Sequence, residues 1–172
     1  PFYSLYYVDT IYNVIGCRKH YYVNVIIDDI INSIKKSIDN NEPVWIAIDI
    51  DNYTSKKHGI LDINAFNYKD IFGFDNIMDK CDSLNFRNSY PNHSVLIKGY
   101  NKTNNNFKKF LIENSWGEKC GFNGNFNMSI EWFKKYCYEA VIDKKFLSKK
   151  ILDVLNNKPN ILPYYSPFGD LL

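Results

Sequence analysis

HSVLIKGY at residues 93–100 and KKFLIENSW at residues 108–116 are two strand-forming runs separated by the polar stretch NKTNNNF at 101–107. Each run carries an apolar centre, Val95-Leu96-Ile97 in one and Phe110-Leu111-Ile112 in the other, and the polar connection between them suits a hairpin turn. The runs are therefore expected to pair as neighbouring antiparallel strands. Outward from them, residues 124–128 read as a further strand, and Ser129 stands where an N-cap is needed for a helix carrying Trp132, Phe133 and Tyr136. YEAVID at 138–143 returns to strand character. On the N-terminal side, residues 24–40 place Ile27, Ile30, Ile31, Ile34 and Ile38 at three- and four-residue spacing, with Asp28 and Asp29 early and Lys35 and Lys36 late. That is an amphipathic helix whose charges match its dipole. Asn40-Asn41-Glu42-Pro43 breaks the pattern, and VWIAIDI at 44–50 follows as a largely buried strand. Strands that succeed one another with few intervening helices argue for an α+β chain built on an antiparallel sheet or half-open barrel.

Between residues 51 and 90 the texture is polar and irregular, and Phe66, Tyr68, Phe72 and Phe74 are expected to pin a long loop to the body. Residues 147–156 suit a terminal helix, after which Pro159, Pro163 and Pro167 enforce an extended tail. The expected organisation is one domain over residues 1–158 and a tail over 159–172, held by Pro163, Tyr164, Tyr165 and Phe168.

One domain accounts for 172 residues and 20.3 kDa, with roughly 70% of the extended chain's surface buried on folding. A hydrophobic fraction of 45% and a charged fraction of 23% exclude wholesale disorder and a collagen-like chain. The longest apolar runs, such as VWIAI at 44–48, fall far short of the ~20 residues that cross a bilayer, so no transmembrane helix and no membrane partner is expected. The 21 basic residues against 19 acidic ones leave a net charge of +2, a field too weak to make nucleic acid the main partner. Nucleic-acid binding remains a third reading that rests on the 19 Lys alone. Cys17, Cys81, Cys120 and Cys137 form neither a C-x-x-C pair nor a His-rich metal pattern, so reduced, buried thiols are expected and no metal site.

The chemistry-bearing residues stand at matching ends of the two central runs. His93 opens one and Asn114 closes the other, so pairing of the strands brings both to the same end of the sheet. An Asn oxygen can accept the proton of one imidazole nitrogen, which fixes the tautomer and leaves the other nitrogen free to face a nucleophile. That is the base and orienter of a nucleophilic triad. His20 and His58 have no Cys or carboxylate pair at ligand spacing and read as surface or loop residues. Asp49 and Asp51 flank a strand end, where the simplest reading is solvation of that end.

NHSVLIKGY, then ENSWG, then Gly121, Gly124 and a strand-helix unit resemble the second half of papain-like cysteine peptidases. A narrower resemblance covers nearly the entire chain. Tyr3-Ser4-Leu5, GCRK, EPVWIAIDI, HGILD, ENSWGEKCGFNG, EWFKKYCYEAVIDKKF and ILPYYSPFGDLL are similar, in order, to the bleomycin hydrolase and aminopeptidase C branch. The resemblance implies a papain-like fold, mainly its antiparallel barrel-like half with flanking helices and an extended C-terminal tail. It implies His93 as general base, Asn114 as its orienting amide, and Trp116 as the indole that covers their hydrogen bond. It further implies a cytoplasmic homohexamer that cleaves N-terminal bonds of peptide substrates without metal or cofactor. The resemblance also directs the tail over 159–172 into the active-site cleft, to the face that carries His93, where Leu172 would supply the carboxylate that recognises the substrate's N-terminus.

The family's nucleophile lies in a Q-x-x-x-x-x-C-W setting, and no such segment occurs in these 172 residues. Cys17 precedes His93 as the order requires but lacks the flanking Trp and the upstream Gln. The expected partner is therefore an N-terminal, Cys-bearing half of the same enzyme. Two rival readings stay open at this point: an inactive homologue serving as an assembly or binding module, and part of a lysosomal or secreted papain-type endopeptidase.

Overall fold

The computed structural model describes residues 1–8, 16, 19–74, 78–104 and 106–166. Its elements in chain order are β1 (Ser4–Val8), β2 (Tyr22–Asn24), α1 (Ile27–Asp39), β3 (Val44–Ile48), β4 (Thr54–Ser55), β5 (Ile60–Leu61), α2 (Tyr68–Phe72) and α3 (Lys80–Asn85). There follow β6 (His93–Thr103), β7 (Asn106–Glu113), β8 (Asn125–Ser129), α4 (Ile130–Tyr136), β9 (Cys137–Val141), a 3-10 turn (Lys144–Phe146), α5 (Lys149–Val154) and β10 (Asn160–Leu162).

Seven strands form one sheet in the order β4-β5-β8-β7-β6-β3-β9, with all neighbours antiparallel except β5 and β8. The hairpin read from the sequence lies at its centre. Its register runs from Leu96 opposite Glu113 to Thr103 opposite Asn106, so the turn is much shorter than the expected 101–107. Asn101, Lys102 and Thr103 are strand residues without an apolar face because the hairpin tip projects into water, where alternation brings no burial. Asn104 takes φ +50°, a left-handed conformation that Asn tolerates better than most residues.

Period-two alternation places the core on one face of this sheet. On β7, Phe110 and Ile112 are buried while Lys109, Leu111 and Glu113 are exposed. Val44, Ile46 and Ile48 of β3, Ile97 of β6, and Phe126 and Met128 of β8 complete the layer, each worth about 2 kcal/mol of transfer free energy. Ile31 and Ile34 of α1 and Trp132 and Phe133 of α4 belong to the same core. Ser129 caps α4 as expected, its hydroxyl accepting the Trp132 N–H at 3.3 Å.

Two regions differ from the sequence reading. Residues 51–90 contain β4, β5, α2 and α3. Of the four aromatic residues expected to hold this region down, Tyr68 meets Tyr53 edge-on at 5.3 Å. Phe66, Phe72 and Phe74 instead run outward as a chain of ring contacts and are 43%, 60% and 59% exposed. The start of the tail is extended as expected, but backbone pairing holds it rather than the side chains named for that role. Residues 160–162 pair in parallel with 6–8, forming a second sheet in the order β10-β1-β2. The Pro163 carbonyl then accepts the Ser166 N–H at 2.9 Å, closing a turn through Tyr164 and Tyr165. Tyr164 and Tyr165 are each 69% exposed and meet one another edge-on at 5.3 Å. Phe168 and Leu172, like Cys17, lie outside the described residues.

Candidate active site

His93 begins β6, in register with Ile48 at the end of β3, and Asn114 follows the last residue of β7. Continuing the hairpin one step past Leu96 and Glu113 reaches Val95 and Asn114, so the asparagine shares the face of Val95 and of His93 two residues earlier. The side chains meet: His93 Nε2 lies 2.8 Å from Asn114 Oδ1. The same Oδ1 accepts the Ser115 N–H at 2.8 Å, which identifies it as the oxygen end of the amide. Nε2 must then be the protonated nitrogen, and the neutral ring keeps its lone pair on Nδ1.

Asn114 is 8% exposed, so its bond to the half-buried His93 sits in a medium less screening than water. Trp116 covers it, with ring centroid 4.7 Å from that of His93 and planes inclined by 35°. The indole is itself backed edge-on by Phe126 at 6.2 Å. Its outer side carries Lys56, whose Nζ lies 5.0 Å from the ring and 3.3 Å from Asp51 Oδ1. The turn after Trp116 is held by backbone approach. Gly121 adopts φ +65°, and a Cβ there would stand 2.6 Å from the Phe126 ring and 2.7 Å from the Asn125 carbonyl.

Asp49 departs from the sequence reading. It is 2% exposed and accepts hydrogen bonds from Asp51 N–H, Asn52 Nδ2, Ser89 Oγ and Asn92 Nδ2 at 2.6 to 3.1 Å. The strand end is therefore sealed by protein donors rather than solvated. Asn92, immediately before His93, is part of this cluster. A hydrophobic run ending in Asp was the available signal, but the donors on 89 and 92 lie about forty residues away in sequence.

The three described cysteines are unpaired and do not complete a nucleophile. Cys137 shares the partner Ile48 with His93 but on the opposite strand, and burial pushes its thiol up to about 12, far from a thiolate at neutral pH. Cys120 donates toward the Lys56 carbonyl at 3.7 Å, and exposed Cys81 accepts from Asn85 Nδ2 at 3.5 Å. His20 stacks on Tyr22, and His58 Nδ1 meets the Ser55 hydroxyl at 2.9 Å, both within peripheral contacts. Among the described residues no group of His, Cys, Asp and Glu could hold a metal ion.

Residues 1–169 match the Peptidase C1-like family. The chain belongs to that family. Bleomycin hydrolase of Mus musculus is 36% identical over 172 residues, covering 98% of this chain and 38% of its own length. Aminopeptidase C of Listeria innocua is 32% identical over 171 residues, covering 99% of the chain and 39% of its own length. The crystal structure of PepW from Lactobacillus rhamnosis superposes with a TM-score of 0.93 at 34% identity over 97% of this chain and 38% of that one. This Peptidase C1-like chain thus falls in the bleomycin hydrolase and aminopeptidase C branch and spans 38 to 39% of the length of these relatives. The α+β, papain-like architecture expected from the sequence is the one found, a curled half-barrel sheet with few helices.

Proposed function

We propose that this chain is the base-bearing part of a cysteine aminopeptidase, with the nucleophilic cysteine supplied by a segment outside these 172 residues. The observation that supports the reading is the 2.8 Å bond from His93 Nε2 to Asn114 Oδ1 beneath Trp116. It leaves Nδ1 as the proton acceptor and holds the ring against rotation. In the proposed cycle Nδ1 takes the thiol proton, and the thiolate attacks the carbonyl carbon of the first peptide bond. The imidazolium then protonates the departing amine, leaving a thioester. Water gives a proton to Nδ1 and its oxygen to the thioester carbon, releasing the acid and returning the proton to sulfur. Asn114 accepts throughout from Nε2–H, a bond that strengthens when the ring is positively charged.

The relatives named aminopeptidase C make peptides with a free α-amine the proposed substrates. In the same reading the Leu172 carboxylate meets that ammonium, a charge-assisted contact worth about 1.5 to 3 kcal/mol, and the enzyme acts as a cytoplasmic homohexamer. The test is hydrolysis of aminoacyl amide substrates by the intact protein. Activity should be lost on thiol alkylation and fall by at least about 10²-fold in His93→Ala, while N-acetylated substrates should be cut slowly until residues 170–172 are deleted. Full activity in His93→Ala, or none in the intact parent, would overturn the proposal.

A further inference from the structure

A buried carboxylate with four donors, placed beside the residue that precedes a catalytic histidine, calls for an explanation beyond packing. Asp49 directly follows Ile48, the register partner of His93. Its two oxygens each accept two hydrogen bonds: Oδ1 from Asp51 N–H at 3.1 Å and Asn92 Nδ2 at 2.9 Å, Oδ2 from Asn52 Nδ2 and Ser89 Oγ at 2.6 Å each. A carboxylate accepts at both oxygens, whereas an amide in the same place would turn one donor group against the others. We propose that Asp49 is a positioning residue that sets the imidazole of His93, acting through Asn92. The inference rests on the proposed role of His93 as the base.

The path is short. Asn92 is clamped three ways: its N–H donates to the Ile48 carbonyl at 3.0 Å, its Oδ1 accepts the Ile50 N–H at 3.0 Å, and its Nδ2 donates to Asp49. A second contact runs from the same Nδ2 to Asp51 Oδ2 at 3.2 Å. The peptide unit that leaves this clamp carries the Cα of His93, so the clamp sets the direction of its Cα–Cβ bond. Asn114 then fixes the ring from its far end. With both ends held, the arc left to Nδ1 is narrow. Loss of the Asn92 anchor shifts the root of the side chain while the Asn114 bond still holds its tip, and Nδ1 is displaced.

The other two donors tie the carboxylate to rigid elements. Ser89 Oγ lies 2.6 Å from the Tyr138 hydroxyl on β9, and because Ser89 donates to Asp49 it accepts from Tyr138. Asn52, through its carbonyl, accepts Trp132 Nε1 of α4 at 2.8 Å. Asp49 thus links the start of β6 to α4 and β9, and this anchorage gives a single side chain the leverage to hold a ring a few ångström away.

A knot that only stabilised the fold would lower the folded fraction and leave turnover per folded molecule intact. A positioning residue lowers kcat at saturating substrate with little change in KM. In the intact peptidase, Asp49→Ala and Asn92→Ala should each reduce kcat about 10- to 100-fold, the range expected of a misplacement near 1 Å. Because they break one path, the double variant should be no slower than the worse single one. Asp49→Asn should recover only part of the rate, since its carbonyl can keep the Asp51 and Asn92 donors while its amide, which the Ser89 hydroxyl can turn to accept, stands donor to donor against Asn52 Nδ2. If Asp49→Ala does not fold, Asn92→Ala decides alone, as it leaves Asp49 three donors. Unchanged kcat in a folded alanine variant, or multiplicative losses, would overturn the proposal. If the parent hydrolyses nothing, the base role of His93 fails, and the positioning claim is read from the His93 Cα–Cβ torsion, through its three-bond couplings to Cγ in NMR. The couplings should differ from the parent's in both alanine variants; identical couplings would overturn it.

Discussion

Glu139 makes stability fall as pH rises. It sits on β9 opposite Ala47, is 8% exposed, and its Oε1 finds no hydrogen-bond partner among the described residues. No ion pair relieves it among the described residues, and burial raises its carboxyl from 4.5 to about 7. A group with a raised folded-state pKa binds more protons folded than unfolded. Its contribution is therefore fully present below pH 4.5 and is lost as pH rises through about 7. At about 1.4 kcal/mol for each tenfold change in proton affinity, the full loss is about 3 kcal/mol, of which about 1 kcal/mol has gone by pH 5. Glu139→Gln keeps the shape and removes the titration. Urea unfolding of both proteins should show the wild type losing about 2 to 3 kcal/mol relative to Glu139→Gln between pH 5 and pH 8. The two curves should converge near pH 4. Parallel pH profiles would refute the reasoning, because they would place the ionised carboxylate in contact with water or an unseen donor.

Two further outcomes follow from the site. Gly121→Ala should destabilise by about 2 kcal/mol or more, since an L side chain in the left-handed region costs roughly 1 to 2 kcal/mol before any clash and its Cβ would stand 2.6 Å from the Phe126 ring; urea midpoints measure this. Trp116→Ala should lower kcat of the intact peptidase about 5- to 10-fold with KM little changed, as water reaches a hydrogen bond whose shielding is worth about 1 kcal/mol; unchanged kcat would leave Trp116 a packing residue only.

The pairing of His93 with Asn114 was readable because it depends on local pattern. Two runs with apolar centres and a polar connection set the hairpin, and the hairpin register sets which ends meet. Helix α1 and the Ser129 cap were legible for the same reason, their signals lying within a few residues of each other. Strands β1, β2 and β10 were not. They are three to five residues long, and β1 finds its parallel partner more than 150 positions away, so neither length nor alternation marks them. The same distance hid Asp49: its composition reads as an exposed strand end, and only the fold brings Ser89 and Asn92 to it. The exposed row Phe66, Phe72 and Phe74 misled in the opposite sense, because hydrophobicity alone does not say which of several neighbouring rings finds the core.

The central claim, that His93 and Asn114 serve a cysteine lying outside this chain, is tested most directly by mapping the site of covalent capture. The intact protein is treated with an aminoacyl electrophile that alkylates thiolates at the active site, digested, and the labelled peptide identified by mass spectrometry. The account predicts one labelled cysteine, outside residues 1–172, with labelling lost in His93→Ala because the thiol no longer loses its proton to Nδ1. A label on Cys17, Cys81, Cys120 or Cys137, or labelling that persists unchanged in His93→Ala, would contradict it.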